Sequence, residues 1–256
     1  MEFKMLFYYI YMFCIAIPLG IVATIIAATA TIIGTTVGDA HFWGYHPGRL
    51  WSRAICCLFL IRVKVSGRDK IDHRHSYVFV ANHQGVFDIF LIYGYLGRNF
   101  KWMMKKSLRK IPFVGRACEA AGHIFVDRTS RGGVRSTITK AHDTLVDGTS
   151  LVVFPEGSRT FTGHMGYFKK GAFQLADELR LPVVPMTING SFDILPRFKK
   201  LPRPHRLTLT IHDPIEPQGE GPGDIRHTMQ LAYTAIESAL PECYRGMVTN
   251  ADQEVP

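Results

Sequence analysis

Charge is what the first part of this chain lacks. From residue 5 to residue 38 there is no Asp, Glu, Lys or Arg, an uncharged run of 34 positions dominated by Ile, Ala, Thr, Phe and Tyr. About 20 apolar residues cross a bilayer core, so the run is long enough to do so. A secretory signal would have a shorter apolar region and a clean small-residue cleavage site, and neither is present. Pro18 and Gly20 interrupt the run, so a kink or break is expected there. The segment then either spans the bilayer or dips into one leaflet as a bent hairpin. Gly34 and Gly38 have the spacing of a helix-packing pair, here read as a chance match at a segment end.

Cysteine is scarce too. Cys14, Cys56, Cys57, Cys118 and Cys243 are odd in number and show no C-x-x-C spacing. That argues against a disulfide framework or a structural zinc site, and for a reducing compartment around the main domain. His73-Arg74-His75 reads as a solvated loop, not a ligand pair, so no metal site is expected. Acidic residues are outnumbered, 21 against 30 basic ones, for a formal net charge of +9. Such a balance suits nucleic acid or an anionic membrane surface, and the uncharged N-terminal run decides for the membrane. The shortage is sharpest over residues 98–116, where Arg98, Lys101, Lys105, Lys106, Arg109, Lys110 and Arg116 occur with no acid among them. That stretch is either a solvated basic face or a contact for lipid headgroups. No internal repeat or low-complexity segment is present.

What remains is long enough for one large α/β domain behind the anchor. Over residues 47–62, Trp51, Ala54, Ile55, Leu58 and Phe59 recur on one helical face, with Arg49 and Arg53 off that stripe. Such a helix either lies on an anionic membrane or packs on the domain. Arg49, Arg53, Arg62, Lys64 and Arg68 follow the apolar run and only Lys4 precedes it, which places the main domain on the cytoplasmic side. Buried strands are expected at 76–80, 122–126, 150–154, 181–188 and 206–212, and helices over 134–146 and 225–240. The last dozen residues are polar and expected to fray. The expected division is an anchor over 1–40, an amphipathic helix and linker over 41–68, a catalytic domain over 69–245 and a polar tail over 246–256.

Several of these strands end in polar residues and glycine, and such ends converge on one cleft in α/β folds. After the first comes Asn82-His83-Gln84-Gly85-Val86-Phe87-Asp88. On a uniform helix His83 and Asp88 would lie roughly 140° apart, so they meet only if His83 sits in the loop and Asp88 in the first helical turn, with Asn82 or His83 near the N-cap. The Asp then fixes the imidazole tautomer and leaves the other ring nitrogen free to take a proton. After another strand comes Pro155-Glu156-Gly157-Ser158-Arg159-Thr160. Arg159 offers a planar charged fork suited to phosphate. Glu156 either accepts a substrate hydroxyl or braces Arg159, and Gly157 lets backbone N–H groups approach an anion. Lys105, Arg128 and Lys169 add positive charge.

At this point the chain resembles the glycerophospholipid acyltransferases, in particular those acting on 1-acyl-sn-glycerol-3-phosphate. Four ordered motifs carry the resemblance: Asn82-His83-x4-Asp88, Gly122-His123-Ile124-Phe125-Val126-Asp127-Arg128, Phe154-Pro155-Glu156-Gly157-Ser158-Arg159-Thr160 and Val183-Val184-Pro185-Met186. The basic segment from Lys105-Lys106-Ser107-Leu108 to Gly115 fits between the first two. Together they cover residues 76 to 190, within a similarity running from 45 to 215. The resemblance implies a mixed central sheet flanked by helices, with N-terminal membrane helices. It implies acyl transfer from acyl-CoA or acyl-carrier protein to the sn-2 hydroxyl of lysophosphatidate in phospholipid biosynthesis, with no cofactor and no metal. His83 would be the base and Asp88 its partner. Lys105, Arg128, Glu156, Gly157, Ser158, Arg159 and Lys169 would bind substrate, with the Gly157 N–H a candidate oxyanion donor. Two other readings stay open: another lysolipid acceptor, such as a lyso-ornithine lipid, or a non-catalytic lipid-binding protein of the same fold.

Overall fold

The computed structural model describes residues 2–126, 141, 144–145, 148–217 and 222–246. Arg128, the C-terminal tail and most of the helix expected over 134–146 lie outside the described residues. The chain opens with α1 (Glu2–Tyr11) and α2 (Ile17–Val37), joined by a π-helical turn, Met12–Ala16. No hairpin forms. Pro18 sits in the first turn of α2, and the widened turn just before it absorbs the missing N–H and the bulk of the ring. Met5–Val37 has a mean hydropathy of 2.4 and is long and apolar enough to cross a membrane.

After α3 (Ala40–Trp43) and α4 (His46–Leu58) the chain alternates strand and helix: β1 (Arg62–Ser66), β2 (Val78–Ala81), α5 (Phe87–Tyr95), β3 (Phe100–Lys105), α6 (Val114–Ala120), β4 (Ile124–Val126) and β5 (Ser150–Val153). It continues through α7 (Gly171–Glu178), β6 (Val183–Asn189), α8 (Ser191–Ile194), β7 (Arg206–Ile211) and α9 (Pro222–Ser238). The seven strands form one mixed sheet in the order β1-β7-β6-β2-β5-β3-β4, parallel except for the β6–β7 pair. In register, Phe79 lies between Val152 and Val184. The central strands are covered on both faces, which is why they read as unbroken apolar runs. Phe79 and Ala81 face one core with Ile55 of α4 and Leu91 of α5. Val78 and Val80 face another with Phe173 of α7 and Ile236 of α9.

Two strands, β1 and β3, were not expected from sequence. Both carry lysine: β1 lies at the sheet edge with alternate residues exposed, where charge is tolerated, and β3 falls inside the basic stretch. That stretch is not one surface. Arg98 and Lys101 are buried. The Arg98 guanidinium donates to the carbonyls of Asp72, His75 and Gly148 and lies over the Tyr77 ring. Lys101 Nζ donates to the Ala121 carbonyl at 2.8 Å, and burial pushes its pKa down to about 8.

The amphipathic helix α4 packs between α2 and α5. Ile55 and Cys56 are buried there, Trp51 meets the edge of Phe90, and the Trp51 indole donates to Thr24 Oγ1 at 2.9 Å. Of the two readings of its stripe, the structure has the packed one. Gly34 and Gly38 are likewise no chance match. A Cβ at Gly34 would lie 2.2 Å from Trp43 Cδ2, and one at Gly38 2.9 Å from Trp43 Nε1, so the pair makes a seat for this indole. Gly34→Ala should therefore expel the ring and lower stability by about 1–3 kcal/mol, as overpacking does. In a Trp43→Ala background the same change should have almost no effect. Melting of the four proteins in one detergent checks this as a double-mutant cycle.

Candidate active site

Parallel strands β2, β5 and β3 are adjacent, so their C-terminal ends lie along one edge of the sheet. From β2 the chain passes to α5 on one face, and from β5 to α7 on the other. Connections that leave to opposite faces from neighbouring strands open a crevice between them. His83 follows β2 and Phe154 follows β5, both at that crevice.

His83 and Asp88 meet. His83 Nδ1 lies 2.7 Å from Asp88 Oδ2, with Asp88 wholly buried and the His83 side chain 14% exposed. The helix begins later than expected, at Phe87 with Val86 as N-cap, so residues 83–85 arch over the carboxylate. Main-chain N–H groups of Gln84 and Gly85 donate to the same Oδ2 at 2.7 and 2.9 Å. A carboxylate accepting from Nδ1–H leaves Nε2 as the unprotonated, basic nitrogen. Nε2 has no hydrogen-bond partner among the described residues.

Beneath the imidazole lies Phe154, stacked at 3.9 Å and 8° from parallel, and Trp102 of β3 stacks in turn on Phe154 at 5.5 Å. The Trp102 main-chain N–H donates to His123 Nδ1, and burial beside Lys101 pushes His123 down to about 3, so this histidine is a neutral structural acceptor. Asn82 fixes the other side of the loop: its amide donates to the Ile188 carbonyl at 2.9 Å and accepts from the Ile188 N–H at 2.7 Å, extending the β2–β6 pairing through a side chain. Phe154 and Trp102 were not singled out from sequence, and Asn82 was expected only near an N-cap, a place that Val86 takes. Phe154 and Asn82 lie inside the quoted motifs, but stacking and cross-strand pairing are not legible there.

Glu156 does not brace Arg159. Its two oxygens accept from the main-chain N–H groups of His83 at 2.7 Å and Gly166 at 2.8 Å, tying the two crevice loops together. The Thr160 N–H to His83 carbonyl bond, 2.9 Å, is a second tie, and Gln84 Nε2 to the Gly163 carbonyl, 3.0 Å, is a third. The Gly157 N–H donates to the Phe154 carbonyl at 3.0 Å, closing the β-turn, so the expected oxyanion donor is already engaged. Arg159 is half-buried on this turn. Arg197, which sequence reading missed, donates to the Arg159 carbonyl at 3.1 Å and lies over Phe161. Burial and the charge of Arg197 press the Arg159 pKa down. Ser158 and Lys169 are exposed on the same loop, and exposed Lys105 ends β3 at the same sheet edge.

A crystal structure of the 1-acyl-sn-glycerophosphate acyltransferase PlsC of Thermotoga maritima matches this fold with a TM-score of 0.76, over 93% of this chain and 96% of that one, at 24% identity. A model of the acyltransferase family matches residues 62–189, and the chain belongs to that family. It is 31% identical over 202 residues to a 1-acyl-sn-glycerol-3-phosphate acyltransferase of Chlamydomonas reinhardtii, covering 78% of this chain and 59% of the algal protein. A Saccharomyces cerevisiae protein of the same name is 32% identical over 169 residues, 63% of this chain and 54% of the yeast one. The chain thus spans little more than half the length of these two relatives. The alpha form of Mus musculus is 30% identical over 190 residues, 71% of this chain and 67% of the mouse protein.

Burial raises the Glu156 pKa from 4.5 to about 8, against the pull of its two N–H donors. Between about pH 4.5 and pH 8 the folded chain holds a proton here that the unfolded chain has released. This group's contribution is therefore complete below the lower value and is lost as pH rises through the upper one. Glu156→Gln turns one amide N–H toward a main-chain N–H and should cost about 1–3 kcal/mol. The gap in melting temperature between wild type and variant should be wider at pH 5 than at pH 8.

Proposed function

We propose that the protein transfers a fatty acyl group from a thioester, acyl-CoA or acyl-carrier protein, to the sn-2 hydroxyl of lysophosphatidate, giving phosphatidate. The observation that carries this reading is the His83–Asp88 pair, whose Nε2 remains available at the mouth of a crevice beside Arg159. Nε2 takes the proton of the acceptor hydroxyl as its oxygen attacks the thioester carbonyl carbon. Asp88 and the face of Phe154 both favour the imidazolium that forms. Collapse of the tetrahedral intermediate breaks the C–S bond. The proton held on Nε2 leaves with the thiolate, so no acyl-enzyme is needed and His83 ends as it began.

Arg159, with Arg197 beside it, makes a concentration of guanidinium charge suited to the acceptor's phosphate. Lys105, Lys169, Ser158 and Arg128 supply further donors for acceptor or thioester. Glu156 and Gly157 act by holding the loops. The apolar N-terminal helix serves as the membrane anchor, and the excess of basic residues behind it supports a cytoplasmic side for residues 69–245.

The test is acyl transfer by detergent-purified protein with a panel of lysolipids, using both thioester carriers. Lysophosphatidate should be the preferred acceptor, and His83→Ala should lose roughly 10²–10⁴ in turnover with unchanged expression. Preference for a lysolipid lacking a terminal phosphate would overturn the acceptor assignment. Arg159→Ala should weaken acceptor use roughly 10- to 150-fold, the loss of one charged hydrogen bond of about 1.5–3 kcal/mol. Arg159→Lys should recover only part of it. The change should appear in KM for lysophosphatidate, while a rise confined to the thioester KM would move Arg159 to the donor side.

A further inference from the structure

The chain between β3 and α6 forms a tight knuckle. Residues Lys106–Lys110 make a 3-10 turn, the Ile111 N–H returns to the Leu108 carbonyl, and the Gly115 N–H returns to the Ile111 carbonyl at 2.8 Å. A Cβ at Gly115 would lie 2.1 Å from the Arg109 carbonyl oxygen, so the loop closes this tightly only around glycine. At its tip the Val114 N–H bonds to the Pro112 carbonyl at 2.6 Å, which makes a γ-turn centred on Phe113 at φ 59, ψ −54. This turn is strained, and a bulky residue at positive φ is an outlier. The strain does not serve the core, because Phe113 is left 54% exposed, beside Ile111 at 43% and Leu108 at 39%. Backbone strain that packing does not explain points to a function for the displayed side chain.

Charge says what the tip meets. Between residues 105 and 119 there are five basic residues, Lys105, Lys106, Arg109, Lys110 and Arg116, and one acid, Glu119, which holds Arg109. Three apolar tips inside a basic ring match an anionic bilayer surface, whose phosphates meet the ring and whose acyl boundary takes the tips. An acidic protein would satisfy the ring but not three separately exposed apolar side chains. The knuckle also runs directly into α6, and Val114, Ala117 and Cys118 of that helix share a cavity with Ala27, Ala28 and Thr31 of α2. The knuckle therefore springs from a helix that packs beside the apolar one.

We propose that the knuckle over residues 106–116 is a second membrane contact, inserting Leu108, Ile111 and Phe113 into the headgroup region of an anionic bilayer. It deepens the membrane reading above and rests on it. Lys105, at the root of the knuckle, ends β3 on the site edge, so this contact brings the crevice to the surface that holds a lysolipid acceptor.

The test places Phe113→Trp in the full-length protein, reconstituted in vesicles of phosphatidylcholine alone or with phosphatidylglycerol. The difference emission against wild type should be blue-shifted and quenched by brominated acyl chains, more strongly in the anionic vesicles. A residue 113 probe quenched by aqueous iodide and untouched by bromine overturns the proposal, and equal bromine quenching in both vesicles overturns its anionic part. Shielding from iodide by acyl-carrier protein in detergent, with no effect of lipid, would also overturn it by assigning the knuckle to a protein partner. These readouts need no enzymatic activity, so they fail or succeed independently of the acyl-transfer reading. As a functional check, Phe113→Asp should keep its melting temperature and its turnover of a short-chain, monomeric lysophosphatidate. Its turnover of the long-chain acceptor in vesicles should fall roughly 3- to 10-fold, part of the transfer free energy of one aromatic side chain. Equal loss on both acceptors would mark a structural defect and overturn the surface role.

Discussion

Asp88 Oδ2 accepts three hydrogen bonds, from the imidazole of His83 and from the main-chain N–H groups of Gln84 and Gly85. The oxygen is buried, and buried carboxylates persist only where donors replace water. The arch of residues 83–85 is therefore fixed by the same atom that orients the imidazole. A change that loosens the arch also loosens the ring, and one that removes the carboxylate leaves two main-chain donors and one ring nitrogen without their acceptor. Geometry and chemistry share one support here.

The remaining order of the crevice follows from that arch. Glu156 reaches from the β5 loop to the His83 N–H, the Thr160 N–H reaches the His83 carbonyl, and Phe154 backs the ring. Asn82 joins the opposite side to β6. Each tie crosses between segments far apart in sequence, so the site assembles only when β2, β5 and β6 are in register. A buried carboxyl whose pKa rises to about 8 loses its contribution to stability as pH climbs from about 4.5 to about 8. Its placement is explained by the two N–H groups it gathers, one of which belongs to His83.

The N-terminal helix is more than a tether. Small residues Gly20, Ala28 and Gly34 let α2 lie against the body of the protein, while Leu19, Val22, Ile26 and Ile33 stay exposed. One face is packed on protein and the other is apolar and uncovered. The knuckle leads into α6, which packs against this helix.

The sequence by itself determined the long apolar N-terminal helix, the α/β alternation behind it and the pairing of His83 with Asp88. Each of these is written in local pattern: an absence of charge over a long run, unbroken apolar strands, and a spacing that a loop and one helical turn can close. Tertiary structure alone decided what the polar groups do. Arg98 and Lys101 look like surface cations in sequence, yet backbone carbonyls capture them inside. The stripe of α4 is equally apolar whether lipid or protein covers it, and α2 and α5 cover it. The strands β1 and β3 hid behind lysines that an edge or a strand end tolerates. Glu156, Gly157 and Phe154 stood in a legible motif, but a hydrogen bond or a ring stack needs a partner at a set distance. That partner lies dozens of residues away for Glu156 and Phe154, and for Gly157 it is set by how the turn folds. Periodicity records which side of an element is apolar, and only packing records what that side and its polar neighbours touch.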